Sequence, residues 1–158
     1  MTVTLITASP DDWSMWRSVR LAALAEAPEA FGSRLEDWID ADEDRWRERL
    51  SIPGAIDLMA VDSGTGGPIG MVTGTSAARH DEDARLISMW VAPAARGRGV
   101  ATSLIGAVVD WADASGAQRL TLSVRVENHS ARRTYERNGF DLVSAEARGD
   151  ELEMTRTL

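Results

Sequence analysis

The segment Arg96-Gly97-Arg98-Gly99-Val100-Ala101 combines residue types suited to binding an anion. Glycines let the backbone approach a ligand closely, successive N–H groups can converge on one point, and a helix starting there adds the positive end of its dipole. The flanks provide that setting. An apolar, strand-like run, Leu86-Ile87-Ser88-Met89-Trp90-Val91, closed by Ala92-Pro93, comes before it. After it, apolar residues at Val100, Leu104, Ala107, Val108 and Trp111 fall at helical spacing. Two arginines in the turn add fixed positive charge. The chemistry is that of a diphosphate cradle, although a solvated basic turn or a nucleic-acid contact would use the same residues. The glycine spacing is not that of a dinucleotide-binding turn, and with no lysine in the chain it is not a Walker loop.

A second group follows another strand-like run, Leu120-Thr121-Leu122-Ser123-Val124-Arg125-Val126. It reads Asn128-His129-Ser130-Ala131-Arg132-Arg133-Thr134-Tyr135-Glu136-Arg137-Asn138-Gly139-Phe140. With both groups in this order, the chain resembles the GNAT family of N-acetyltransferases. That family's Arg/Gln-x-x-Gly-x-Gly/Ala signature is met by Arg96, Gly99 and Ala101. Its Asn-x-x-Ala-x-x-x-Tyr-x-x-x-Gly-Phe pattern is met by Asn128, Ala131, Tyr135, Gly139 and Phe140. The resemblance is strongest from Leu86 to Phe140 and looser on either side.

The resemblance implies an α/β fold, a mixed, mostly antiparallel sheet of about seven strands with a central splayed parallel pair and helices on both faces. It implies acetyl-CoA as cosubstrate and an amine acceptor, with direct attack in a ternary complex. The diphosphate would lie on the backbone N–H groups of Arg96, Gly97, Arg98, Gly99, Val100, Ala101 and Thr102. Backbone groups of Met89, Trp90 and Val91, together with Asn128, would hold pantetheine, which acts as an extra strand between the splayed pair. Ala131 would leave room for the coenzyme, and Tyr135 would protonate the departing thiolate. A phenol, with an ordinary pKa of about 10, carries its proton at neutral pH.

Each of these residues also has a plain structural reading. Asn128 is a good helix cap. Tyr135 is a core tyrosine four residues after Ala131 on the same helical face. Arg132 and Arg133 fit a solvated helix surface as well as a ribose phosphate. His129 reads as an exposed first-turn residue and His80 as a loop residue. No general base is assigned. Some family members carry a glutamate five residues before the Asn, where this chain has Ser123. Glu127, Glu82 and Asp83 are the substitutes within reach. Trp13, Trp16, Phe31, Trp38 and Trp46, beside Arg17, Arg20, Glu36 and Asp37, read as a packed helical hairpin or as a cage for a cationic amine.

The elements that must position these groups follow from local signals. Residues 2–8 alternate as a strand. Ser9-Pro10-Asp11-Asp12 starts a helix that runs to Ala27. Residues 33–50 are helical with a break near Asp40. Residues 56–62 and 68–76 form a hairpin over Ser63-Gly64-Thr65-Gly66-Gly67. Residues 77–84 read as a loop. Strand to Val91, helix to Ser115, strand to Val126 and helix from Ser130 to Asn138 follow, and strands over 141–147 and 151–157 close the chain.

Composition bounds the rest. A length of 158 residues suits one domain. No apolar run is long enough for a membrane span, and the start lacks the marks of a secretory signal. The absence of cysteine rules out disulfides, thiolate-metal sites and a cysteine nucleophile, and fits the cytoplasm; no metal is expected. A net charge of -8 opposes nucleic-acid binding and suits a cationic acceptor. A homodimer is compatible with the resemblance. Two rival readings remain: a non-catalytic acyl-CoA-binding sensor or regulatory module, and a nucleic-acid contact through the Arg-Gly turn.

Overall fold

In the structure, a computed structural model that describes residues 2–76 and 83–158, the strands form one seven-stranded sheet. They are β1 (Val3–Thr7), β2 (Ile56–Asp62), β3 (Pro68–Ser76), β4 (Asp83–Val91), β5 (Arg119–Arg125), β6 (Asp141–Leu142) and β7 (Glu151–Thr157), in the spatial order β1-β2-β3-β4-β5-β7-β6. Only β4 and β5 pair in parallel; every other neighbour is antiparallel. The helices are α1 (Trp13–Glu26), α2 (Leu35–Trp38), α3 (Glu43–Arg49), α4 (Val100–Ala114) and α5 (His129–Arg137). The expected break near Asp40 is the gap between α2 and α3. The expectation for residues 77–82, including His80 and Glu82, lies outside the described residues.

How the sheet is covered explains the strand sequences. In β2, Leu58 and Ala60 join the core beneath α4, while Met59 and Val61 join a second core beneath α1 and α3. A strand covered on both faces reads as a continuous apolar run, and this one does: Leu58-Met59-Ala60-Val61. In β5 and β7 only Leu120, Leu122, Val124, Leu152 and Met154 are buried, all toward the α4 core. Their alternate positions, Thr121, Ser123, Glu151 and Glu153, are polar, because no helix covers the other face of that half of the sheet.

The last hairpin is shorter than the sequence predicts. β6 ends at Leu142, Val143 adds one more bond to Glu153 O at 3.0 Å, and a lone bridge joins Arg148 to Glu151. Ser144 Oγ takes the Glu146 N–H at 3.1 Å and turns the chain, and the neighbouring Val143 is 59% exposed. An edge strand with no apolar surface to settle on has little to extend it.

Beneath α1 and α3 sits a buried polar cluster. Asp57, 4% exposed, accepts from Thr73 Oγ1 at 2.6 Å and pairs with Arg49 at 3.1 Å. Arg20 is also buried. Burial, with Arg49 nearby, pushes its guanidinium down to about 10, and Asp57 opposes that shift. Arg20 Nη1 and the Trp16 and Trp46 indole nitrogens have no partner among the described residues. Asp57 is therefore the carboxylate that balances one buried and one partly buried cation. Asp57→Asn should lower stability by about 3 kcal/mol, measured by urea unfolding, because it leaves buried charge uncompensated.

Candidate functional site

The parallel pair is joined only at its start. Asp83, Ala84 and Arg85 pair with Arg119, Leu120 and Thr121, and from there the strands diverge. Past Arg85 the edge of β4 facing β5 has no strand partner among the described residues, nor has the facing edge of β5 past Thr121. At the divergence β4 also bulges. Thr73 pairs with Ile87 and Met71 with Trp90, so Ser88 and Met89 stand opposite the single residue Val72. Ser88 sits at φ 56, a left-handed conformation unusual for serine. Bulges re-aim a strand, and strained backbone gathers at functional sites. The bulge lies directly before Met89, Trp90 and Val91.

A side-chain network closes the fork. Arg85 donates to Thr121 Oγ1 at 3.2 Å, Glu153 Oε1 at 2.6 Å and Ser123 Oγ at 2.6 Å, and Ser123 Oγ donates to Glu153 Oε2 at 2.8 Å. Three strands are thus stapled where the gap begins. Ser123, the position weighed for a base, is a link in this network. A cleft of about 510 Å³ opens beside it on the face opposite α4, lined by Arg85, Ser123, Glu146, Arg148 and Glu153 among others.

Beyond β4 the chain makes a short turn of 3-10 helix, Pro93–Ala95, and reaches the glycine turn. Gly97 (φ 77) and Gly99 (φ 81) adopt left-handed backbone that glycine takes without strain. A Cβ added at either would meet nothing within 4 Å, so open space lies before both. The N–H groups of Gly97, Arg98, Gly99, Val100, Ala101 and Thr102 have no acceptor among the described residues; the first closed bond is Ser103 N–H to Gly99 O at 3.0 Å. Orphan donors at the start of a long helix form an anion site. These residues therefore fit a diphosphate group.

The Arg96 backbone N–H, expected among the diphosphate donors, is instead taken up by Pro93 O at 3.3 Å, and the Arg96 side chain is engaged within the protein as well. Its Nε donates to Val91 O at 3.0 Å and its Nη2 to Glu26 Oε2 at 2.9 Å. Its charge is taken up by the protein, while Arg98 stays exposed.

On the other side of the gap, Asn128 caps α5, its side-chain oxygen accepting from Ala131 N–H at 3.2 Å. Its amide NH2 makes no bond among the described residues. Asn128→Asp should therefore keep the cap and the unfolding temperature while weakening acetyl-CoA binding. Asn128→Ala should lose about 1 kcal/mol of stability as well. One turn after the half-buried Ala131, Tyr135 is buried against Phe140, ring edge to face at 5.8 Å. Burial pushes its phenol well above the ordinary value. Its hydroxyl makes no hydrogen bond among the described residues. Asn138, at the end of α5, donates to Thr102 Oγ1 at 3.3 Å, so the last turn of α5 touches the first turn of α4.

Other candidates are engaged elsewhere. Asp83 pairs with Arg119 at 2.9 Å and Glu127 with Arg125 at 3.0 Å. Arg132 pairs with Glu136, and His129 and Arg133 are exposed. The tryptophan patch is core: Trp16 and Trp46 are fully buried, and ring faces of Phe31, Trp38 and Trp16 are covered by Arg20, Arg45 and Arg49. The protein's own cations occupy the places a cationic amine would take.

Two carboxylates that sequence reasoning missed hold this arrangement. The hydrogen bond from Trp90 does most to hold Glu26 below the usual carboxylate range; partial burial opposes it and Arg96 adds to it. At Glu153 burial, the largest single influence, acts upward, but the bonds from Arg85 and Ser123, with the charges of Arg85 and Arg148, together outweigh it. Both groups bind protons more weakly folded than unfolded. Their contribution is complete above the ordinary carboxylate range and is lost as pH falls through the folded values. Unfolding free energy should decline below about pH 4, with a shallower slope in Glu153→Gln.

Comparisons with known proteins agree with one another. A family model described as the acetyltransferase (GNAT) family matches residues 17–140. A Bacillus subtilis protein, the uncharacterized N-acetyltransferase YhfO, is 39% identical over 56 residues; the match takes in 35% of this chain and 38% of that protein's length. A GNAT-family acetyltransferase from Streptococcus pneumoniae superposes with a TM-score of 0.83 at 21% identity, covering 99% of this chain and 100% of the other. The PaiA N-acetyltransferase of Thermoplasma acidophilum, solved in complex with coenzyme A, superposes with a TM-score of 0.78 at 17% identity, over 100% of both chains. No helix among the described residues is long and apolar enough to cross a membrane.

Proposed function

Since the chain belongs to the acetyltransferase (GNAT) family, we propose that it transfers an acetyl group from acetyl-CoA to a primary amine by direct attack in a ternary complex. The observation that carries this reading is the run of unsatisfied N–H groups at residues 97–102, set at the open end of a parallel pair with unpaired edges. Acetyl-CoA supplies the acetyl thioester. The cradle holds its diphosphate, and the facing edges of β4 and β5 give the pantetheine amides the partners that buried backbone groups require.

In this reading the N–H groups around Met89, beside the bulge, serve as donors for the thioester oxygen. One well-placed donor of this kind contributes about 2.7–4 kcal/mol to the transition state. Tyr135, on α5, is the proton donor in this reading. The acceptor enters from the cleft on the opposite face, where Glu146 and Glu151 suit an ammonium group, Glu153 being paired with Arg85 and Arg148 sharing the wall. There the amine gives up a proton to solvent and attacks the carbonyl carbon. The C–S bond breaks, Tyr135 protonates the sulfur, and the second amine proton restores the phenol. The raised phenol is a weaker acid, and desolvation of the departing thiolate, which raises its basicity, offsets part of that. With no cysteine in the chain, no cysteine-bound acetyl relay is available.

The test is thermal unfolding with acetyl-CoA, followed by thiol release in the presence of a panel of amines. At about 100 times its Kd the ligand adds about 2.7 kcal/mol, a rise of about 5 °C or more. Stabilisation with thiol release on amine addition supports the assignment. Stabilisation without release for any amine indicates an acyl-CoA sensor. No stabilisation at millimolar ligand defeats the reading.

A further inference from the structure

The glycine turn is short of internal anchors. Its approach is well bonded: Ala92 N–H to Ile69 O, Ala95 N–H to Ala92 O and Arg96 N–H to Pro93 O. From there to Ser103 no backbone bond fixes it among the described residues. What binds its start is the Arg96 side chain, reaching Val91 O and Glu26 Oε2. The same Glu26 oxygen accepts the Trp90 indole N–H at 2.8 Å. One carboxylate oxygen thus joins the last turn of α1, the end of β4 and the entrance of the glycine turn.

Glu26 occupies an unfavourable place for its charge. It is the last residue of α1, and an acid at a helix C-terminus meets the negative end of the dipole. Residues that break a local rule mark a requirement from elsewhere in the molecule. Stability is a poor candidate for that requirement. The Glu26 and Arg96 side chains are 35% and 50% exposed, and ion pairs so exposed contribute about 0–1 kcal/mol.

We propose that Glu26 is a positioning residue for the coenzyme: through Arg96 and Trp90 it holds the glycine turn in the shape that directs its N–H groups at the diphosphate. This rests on the acetyl-CoA reading above. With Arg96 neutralised by Glu26, binding at the turn depends on the direction of its N–H groups more than on guanidinium charge. Misdirected donors lose hydrogen bonds to a charged ligand, each worth about 1.5–3 kcal/mol. Because α1 also forms one wall of the second core, the clamp ties that core to the coenzyme side.

The test compares two ligands. Acetyl-CoA carries the diphosphate, and S-acetylpantetheine has the same thioester arm without it. Glu26→Ala should raise the Kd for acetyl-CoA about tenfold, leave that for S-acetylpantetheine unchanged, and shift the unfolding temperature little. Glu26→Gln, which keeps an oxygen for the indole and guanidinium, should recover part of the affinity. In a double-mutant cycle, Glu26→Ala should add little to the loss caused by Arg96→Ala, since one acts through the other. Equal weakening of both ligands, unchanged or tighter acetyl-CoA binding, or full additivity with Arg96→Ala would each overturn the proposal. Failure of the wild type to bind acetyl-CoA would instead overturn the cosubstrate assignment on which it stands.

Discussion

Gly99→Glu will abolish the thermal stabilisation given by acetyl-CoA while leaving a folded protein. Gly99 stands at φ 81, immediately before α4. A residue with a Cβ held there costs about 1–2 kcal/mol, which a domain with two packed cores survives. The loss of binding has two sources. The side chain enters the open space before the turn, where a Cβ now meets nothing within 4 Å. Its carboxylate also places negative charge on the donors that would face the diphosphate, in competition with the ligand. An affinity loss of about a hundredfold or more follows, read by calorimetry against the wild type. Gly99→Ala separates the two effects, carrying the backbone strain without the charge, and should retain measurable binding. Wild-type affinity in the glutamate variant would remove the turn from the site.

Tyr135→Phe will lower turnover by about 10²–10⁴-fold, the range for loss of a positioned proton donor, with acetyl-CoA affinity and unfolding temperature nearly unchanged. The structure explains the separation. The hydroxyl makes no hydrogen bond within the described protein, while the ring packs in the core against Phe140. Phenylalanine preserves the packing and leaves no protein partner unsatisfied. Thiol release under saturating acetyl-CoA is the measurement, because kcat isolates the step in which sulfur departs. Full turnover in Tyr135→Phe would assign the residue to the core alone.

Much of the scaffold could be read in advance because its determinants are local. β2 carries an apolar run and β3 begins with apolar residues, each bounded by turn residues, and both appear with the expected limits. The Asp40 break and the helix after Gly99 rest on neighbouring residues in the same way. The clamp and the staple were not legible. Glu26 and Arg96 lie 70 residues apart, Glu26 and Trp90 64, and Arg85 and Glu153 68. Such partners meet only once strand register is set. Each residue alone is an ordinary surface charge in a chain rich in them. The bulge was hidden for another reason: it places a serine, not a glycine, in left-handed backbone, so no residue type announces it. The early end of β6 turns on exposure, since Val143 has the composition of a strand residue but no layer to pack on.

The half of the sheet left bare by α1 and α3 bears on how such a protein can change. The cleft there is walled mainly by the uncovered faces of β5 and β7 and by the segment after β6, while the buried side chains of those strands belong to the α4 core, Leu152 alone also bordering the cleft. Substitutions at Val143, Glu146 or Glu151 touch the cleft wall without entering that core. With the acceptor entering this cleft as proposed, its preference can drift, or be engineered, through these positions at little risk to folding, while the cradle and the fork on which the chemistry would depend stay as they are.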